Sequence, residues 1–254
     1  MRYVNKHNFP GAYFRCVVND PYDRKDTYSP SLLSNPPRAT VLLEQNPDVE
    51  VDVSTRVAAT IGQGAHSILE RGARPGVDII ETRFFRSIEV DGVTYQVSAQ
   101  VDLFETDTGD LSDWKTTKAY AFHKKSGRGK KPEWEAQLNI GRWVMVAEDL
   151  PEVKRLLIVG LLKDWDLRKS KDEPGYPETE IMVAEQKMWT LEETEIWIAM
   201  RIRAIVAARK ELPMCSTKDS WAGRRCAQWC DANSVCSQYQ TSLRTGRITE
   251  DESA

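Results

Sequence analysis

The dipeptide Asp91-Gly92 constrains this chain most, because it stands between two runs in which apolar residues recur at every second position. An Asp-Gly pair supplies the two left-handed residues of a tight hairpin turn. Ile79 to Val90 and Val97 to Glu105 are therefore predicted to be antiparallel strands. In the second, Val97, Ala99, Val101 and Leu103 share one face, and Ser98, Gln100 and Asp102 the other. Asp107-Thr-Gly-Asp110 then turns the chain into a third strand, Leu111-Ser-Asp-Trp-Lys-Thr-Thr. With that loop, Thr106 is expected to face Leu111, Phe104 to face Asp113, and Asp102 to face Lys115.

Helical periods flank the meander. Val53 to Glu70 predicts a helix closed by Arg71-Gly72, with Val57, Ile61, Ala65, Ile68 and Leu69 as its apolar stripe. Pro132 opens another through about Glu148, where Trp134, Leu138, Gly141 and Met145 recur at helical spacing. Val153 to Leu162 reads as a buried strand and Thr179 to Glu185 as a weaker one. Leu191 to Lys210 predicts a long helix, started by the capping-box pair Thr190 and Glu193. The class is α/β, a central mixed sheet flanked by helices, without the strict alternation of a doubly wound fold. The expected organisation is an irregular arm over 1–30, a core over 31–212, a Cys-rich segment packed on that core over 213–240, and a disordered tail over 241–254.

Several function classes receive no support. Neither G-x-G-x-x-G nor a P-loop is present, which leaves nucleotide-binding folds without a motif. No run of about 18 apolar residues exists to cross a membrane. The start MRYVNKHNFPGAYFRC has no charged residue followed by an apolar block, so a secretory signal is not expected and a reducing cytoplasm is. In that setting Cys215, Cys226, Cys230 and Cys236, crowded together, suggest a metal site before disulfides.

The expected hairpin gathers Asp102, Asp113 and Lys115 on one patch. Two carboxylates so close repel unless a cation joins them, and a hard divalent metal with oxygen ligands suits that role. A neighbouring Lys can orient a water or stabilise charge developing on a phosphate. A surface ion pair on a hairpin is the alternative reading. His66, one turn after Gly62, is either a metal ligand or a hydrogen-bonded structural histidine. Gln137 shares a helix face with Ile140, Gly141 and Val144, so its amide must find a partner.

Taken in order, Gly62-x-x-x-His66, Asp102, Asp113-Trp114-Lys115 and Gln137 resemble the motif set of the PD-(D/E)xK nuclease superfamily. The resemblance is to its RecB-type branch, which includes the iron–sulphur nucleases of CRISPR adaptation and phage-encoded relatives. It spans about residues 28 to 240 and implies a restriction-endonuclease-like core with Mg²⁺- or Mn²⁺-dependent DNA cleavage. It further implies that His66, Asp102, Asp113 and the Trp114 carbonyl hold the metal, that Lys115 positions the water, and that Gln137 supports Lys115 or the DNA. The chain departs from the family at Gly141, where a Tyr is usual, and at Ala99-Gln100, where a small Gly is common. Trp143 stands at a different helical angle and is a poor substitute for the Tyr.

Cys226-x3-Cys230-x5-Cys236 resembles the C-terminal set that holds a [4Fe–4S] cluster in the cluster-bearing relatives. Those relatives take a first cysteine from the N-terminal segment, where this chain reads Ser31-Leu-Leu-Ser-Asn-Pro-Pro-Arg38. Cys16 lies too early, and Cys215 is the better fourth ligand. A cluster, Zn²⁺ and a set of metal-free thiols remain open.

The formal net charge is only −3, yet Lys118, Lys124, Lys125, Arg128, Lys130 and Lys131 form an acid-free island. Its part over 123–131 reads as a mobile Gly-containing loop, and the island is expected to follow a phosphate backbone. The expected function is a DNA nuclease, an exonuclease by preference, in phage-type recombination, replication or processing, acting with or without a partner protein. The rival readings are a DNA-binding module that keeps the fold without turnover, and an assembly protein built around the cysteines.

Overall fold

In the computed structural model, residues 1–20 and 27–246 are described. In chain order these are β1 (Arg2–Val4), α1 (Gly11–Val18), α2 (Pro30–Ser34), α3 (Pro37–Gln45), β2 (Glu50–Asp52), α4 (Val57–Leu69), β3 (Ile79–Val90), β4 (Val93–Glu105), β5 (Asp110–Thr117), α5 (Pro132–Met145), β6 (Arg155–Leu162), α6 (Leu167–Asp172), β7 (Ile181–Glu185), α7 (Leu191–Lys210), α8 (Thr217–Ser220), α9 (Arg224–Gln228) and α10 (Ser237–Arg244). The described residues divide into two units, one of 27–31 and 58–199, the other of 1–20, 32–57 and 200–246.

The first unit is built on a five-stranded sheet in the order β3-β4-β5-β6-β7. Asp91 and Gly92 adopt φ of 53° and 77°, the paired left-handed turn expected of them, and set Val90 against Val93. The β4–β5 turn has the expected four residues but sits one position earlier, over 106–109. Gly109, at φ 79°, donates to the Glu105 carbonyl, and Glu105 pairs with Asp110. Phe104 therefore faces Leu111, not Asp113. A shift of two residues keeps every side chain on its expected face, whereas a shift of one would have reversed them.

From β5 the chain crosses through α5 to β6, which lies parallel to β5, and β7 returns antiparallel. Arg-Leu-Leu-Ile-Val-Gly-Leu-Leu is apolar almost throughout because β6 is an inner strand covered on both faces. Phe104, Leu111, Leu156 and Ile158 join Leu138 of α5 in the core. Gly160 is required there, since a Cβ would lie 2.2 Å from the Phe122 ring. The α7 capping box forms as expected: the Thr190 hydroxyl accepts from Glu193 N, and Glu193 accepts from Thr190 N.

Other expectations are corrected. The apolar stripe of α4 is not buried: Ile61 is 46% and Ile68 59% exposed. The basic stretch 118–131 is not a loose loop but two short 3-10 turns, Ala119–Phe122 and Lys124–Ser126. Buried Phe122 and His123 anchor it, and Gly129 N donates to the Ala121 carbonyl.

In the second unit, β1 pairs in parallel with β2. Residues 1–30 are thus no irregular arm, because β1 and α1 occupy its first part and Tyr28 bridges to Val97 within the first unit. Residues 21–26 lie outside the described residues. Leu42 of α3 packs with Cys236, Ala232 and Tyr239. The Cys-rich segment therefore groups with 32–57 and 200–212, so the expected single core over 31–212 is divided between the two units. Part of the expected disordered tail is the end of α10, which continues to Arg244; residues 247–254 lie outside the described residues. Among the described residues no helix is long and apolar enough to cross a membrane.

Candidate active site

α4, β3, β4, β5 and α5 converge at the middle of the sheet. His66, near the end of α4, places Nδ1 2.9 Å from Glu81 Oε1 and Nε2 3.3 Å from the Trp114 carbonyl. Asp102 Oδ2 lies 3.7 Å from His66 Nδ1 and accepts the Trp114 backbone N–H at 2.8 Å. Both neighbours of the imidazole are acceptors, so both ring nitrogens carry protons in the metal-free site.

β5 alternates Asp113 and Lys115 onto the side facing α5. Gln137 bridges them, its Nε2 donating to Asp113 Oδ1 at 2.6 Å and its Oε1 accepting from Lys115 Nζ at 3.0 Å. This is the partner that its position on an apolar helix face demanded. Lys115 Nζ also stands 2.6 Å from Asp113 Oδ2, but out of hydrogen-bond alignment. The Asp113 side chain is 6% exposed, and that oxygen is left without an aligned donor.

The electrostatics follow from this crowding. Burial, then the negative charge of Asp113, pushes the Asp102 carboxyl up to about 7 against the pull of His66 and Lys115. The hydrogen bond to Glu81 raises His66 to about 9, with Asp102 adding to it and burial opposing. Burial alone would raise Glu81, but hydrogen bonds from His66 and Gln100 outweigh it and hold that carboxyl low. The site thus concentrates more negative charge than its cations balance comfortably.

A divalent metal fits these residues. Ligand atoms of His66, Glu81 and Asp102 lie within 4.8 Å of one another, and Asp113 offers its unaligned buried oxygen. Carboxylate oxygens with one imidazole suit Mg²⁺ or Mn²⁺. The close group differs from the expected set of His66, Asp102, Asp113 and the Trp114 carbonyl. Glu81 enters it, Asp113 turns to Lys115 and Gln137, and the Trp114 carbonyl faces His66.

Glu81 is the site residue that the sequence reading missed. A signal existed: the two-residue turn at Asp91-Gly92 sets a register that brings Glu81 opposite Asp102. Gln100, the departure from the family pattern, donates to Glu81 Oε2 at 2.5 Å and accepts from Arg83 at 3.2 Å. At Gly141, a Cβ would meet Leu111 at 3.8 Å and Val101 at 3.9 Å, so this position packs on the sheet and not toward the site. Trp143 is buried, with Nε1 donating to Glu195 and Arg86 over its ring.

Of the basic island, Lys118, Lys124, Lys125, Arg128 and Lys130 are exposed. Lys131 is partly buried with its ammonium 4.2 Å from the Trp134 ring centre. Burial holds Lys131 low, and Lys115 is near enough to add to that effect.

Cys215, Cys226, Cys230 and Cys236 of the second unit are free thiols, as is the exposed Cys16. Burial, then the charges of Cys226, Cys236, Asp219 and Cys230, pushes Cys215 up to about 12. Cys226 and Cys230 are raised chiefly by burial. Among the described residues the cysteines do not form a close ligand group of the kind that His66, Glu81 and Asp102 make.

No family model matches the chain, and no curated protein matches it. Among solved structures it is similar to the crystal structure of SSO0001, with a TM-score of 0.60 and 15% identity over 90% of this chain and 94% of that one. Identity that low shows a shared fold and nothing further.

Proposed function

We propose that the chain is a divalent-metal-dependent DNA nuclease of the RecB-type PD-(D/E)xK branch. The observation that carries this reading is the linkage of Asp113, Lys115 and Gln137 beside the His66, Glu81 and Asp102 group. Asp102, Asp113, His66 and Glu81 would hold Mg²⁺ or Mn²⁺, which when bound supplies a Lewis acid for the phosphoryl oxygen. Gln137 holds the Lys115 ammonium at the edge of the ligand set, where it can orient a water and offset charge gained by the phosphate. Asp113, bound to both, fixes where that ammonium points.

The partner is DNA. Five exposed cations between the Lys115 strand and α5 can follow phosphates without reading bases. Tyr120, 64% exposed among them, offers a face on which a base can stack. The cysteines would carry a [4Fe–4S] cluster or Zn²⁺. A cytoplasmic role in phage-type DNA recombination, replication or processing, with or without a protein partner, rests on the motif resemblance.

The test is cleavage of end-labelled linear and closed circular DNA, single- and double-stranded, with Mg²⁺, Mn²⁺ or EDTA, beside Lys115→Ala. Metal-dependent loss of linear substrate that the variant does not produce supports the nuclease, and intact circles make it an exonuclease. Binding without cleavage of any substrate would replace it with a DNA-binding module.

A further inference from the structure

Arg38 is 4% exposed, and among the described residues its guanidinium has no carboxylate partner. Its Nη1 donates to the Pro213 carbonyl at 3.0 Å, its Nη2 to the Ser237 hydroxyl at 2.9 Å, and its Nε to Cys236 Sγ at 3.3 Å. All three acceptors are neutral while Cys236 is a thiol. A buried cation held only by neutral acceptors is unfavourable unless a negative charge lies close. The nearest group able to supply one is the Cys236 sulphur, packed in one apolar cluster with Cys226 and Cys230.

The surroundings hold this arginine in place. Arg201 donates to the Leu33 and Asn35 carbonyls at 2.5 and 2.6 Å, and Arg225 donates to the Asn35 side chain at 2.6 Å. The segment before Arg38 is thereby fastened to the part of the chain that carries the cysteines. Pro36 and Pro37 stiffen it and start α3, with Arg38 in its first turn. Arg38 therefore reaches Cys236 from a rigid base, with two further N–H groups fixing the plane of the guanidinium.

We propose that Arg38 is the charge-balancing and positioning residue of a metal centre held by Cys215, Cys226, Cys230 and Cys236, donating a hydrogen bond to the Cys236 sulphur of that centre. Four thiolates around a divalent ion, or around an iron–sulphur cube, leave a net negative charge, which the buried guanidinium offsets in part. The donor also fixes the direction of the Cys236 lone pairs, as outer-shell partners of metal ligands do. This inference rests on the metal-bearing reading of the cysteines made above.

The experiment uses the full chain, reduced and handled without oxygen, loaded in one arm with ferrous iron and sulphide and in the other with Co²⁺ alone. Metal per chain, thiolate-to-metal absorption and the rate of loss to a chelator are followed for wild type, Arg38→Gln and Arg38→Lys. Retention is expected to fall about 10–100-fold in Arg38→Gln, and less in Arg38→Lys, which keeps the charge but cannot serve three acceptors at once. Melting temperatures add a second readout: loading is expected to stabilise wild type more than Arg38→Gln. Equal loss of stability with and without metal, at unchanged retention, would make Arg38 merely structural and overturn the proposal. If Arg38→Gln does not fold, wild-type retention in Arg38→Lys overturns it. A wild-type chain that takes up metal in neither arm removes the metal reading itself.

Discussion

Glu81 stands directly across the β3–β4 ladder from Asp102, between the pairs Ile80–Leu103 and Thr82–Val101, and it does so at a backbone φ of +43°. A non-glycine residue in that conformation inside a strand is held there by its surroundings. Here the holders are His66 on one carboxylate oxygen and Gln100 on the other. The ladder gives up a regular pair at that point, and Glu81 joins the acids around His66.

Glu81→Gln is expected to lower the His66 pKa from about 9 toward 6.5, because the leading cause of its elevation is the bond to this carboxylate. It should also weaken Mn²⁺ binding. Titration of the His66 ring protons by NMR, with Mn²⁺ binding measured separately, checks both. A His66 pKa still near 9 would show that Asp102 and not Glu81 sustains it.

The metal-free protein is expected to lose stability as pH rises from about 4 to 9. His66 is raised in the folded state, so its contribution is complete below its unfolded pKa and lost as pH passes about 9. Asp102 is raised as well, so the fold prefers it protonated, and this preference disappears as pH climbs through about 7. Metal binding has the opposite sense, since it displaces protons from these groups. Melting temperatures in EDTA and in Mn²⁺ across that range should diverge, and calorimetry in buffers of different ionisation enthalpy should register proton release. Parallel curves would count against metal binding at this site.

Asp113→Asn keeps an acceptor for Gln137 and removes a charge that raises Asp102. The metal-free protein should melt no lower than wild type, while DNA cleavage drops by about 10²-fold or more. Assays of both on one preparation decide it. A large fall in melting temperature would mean that the ion pair with Lys115 is chiefly structural.

Lys124→Glu with Lys125→Glu should weaken DNA binding uniformly across sequences. Both residues are exposed and distant in role from Asp113 and Lys115. The slope of log K against log salt should become shallower by about 2 if each wild-type lysine neutralises one phosphate. An unchanged slope would move the DNA path away from the island.

Gly160→Ala should destabilise the first unit by about 1–3 kcal/mol through overpacking against Phe122. Urea unfolding measures it. Little change would indicate that the Phe122 ring can retreat without disturbing the turn it anchors.

Much of this arrangement was legible in the chain itself. The period-two runs, the Asp91-Gly92 turn and the Thr190–Glu193 cap are local signals, each dictated by backbone geometry within a few residues. They were enough to derive the meander, the crossover helix, the α/β class, and the placing of Asp113 and Lys115 together near Asp102. The two-residue error at the β4–β5 turn did not disturb that set, because the pleat repeats every two residues.

The tertiary structure decided what local signals do not encode. The motif resemblance pointed Gln137 toward Lys115 or the DNA, but sequence patterns could not say that it would hold Asp113 as well, or that Glu81 would leave its ladder for His66. Nor could they say that the 118–131 stretch would be pinned by Phe122 against Gly160, or that Arg38 would be buried against Cys236. Each depends on contacts between residues far apart in the chain, whose energies are settled only when burial removes water and leaves a charge or a donor with one partner within reach.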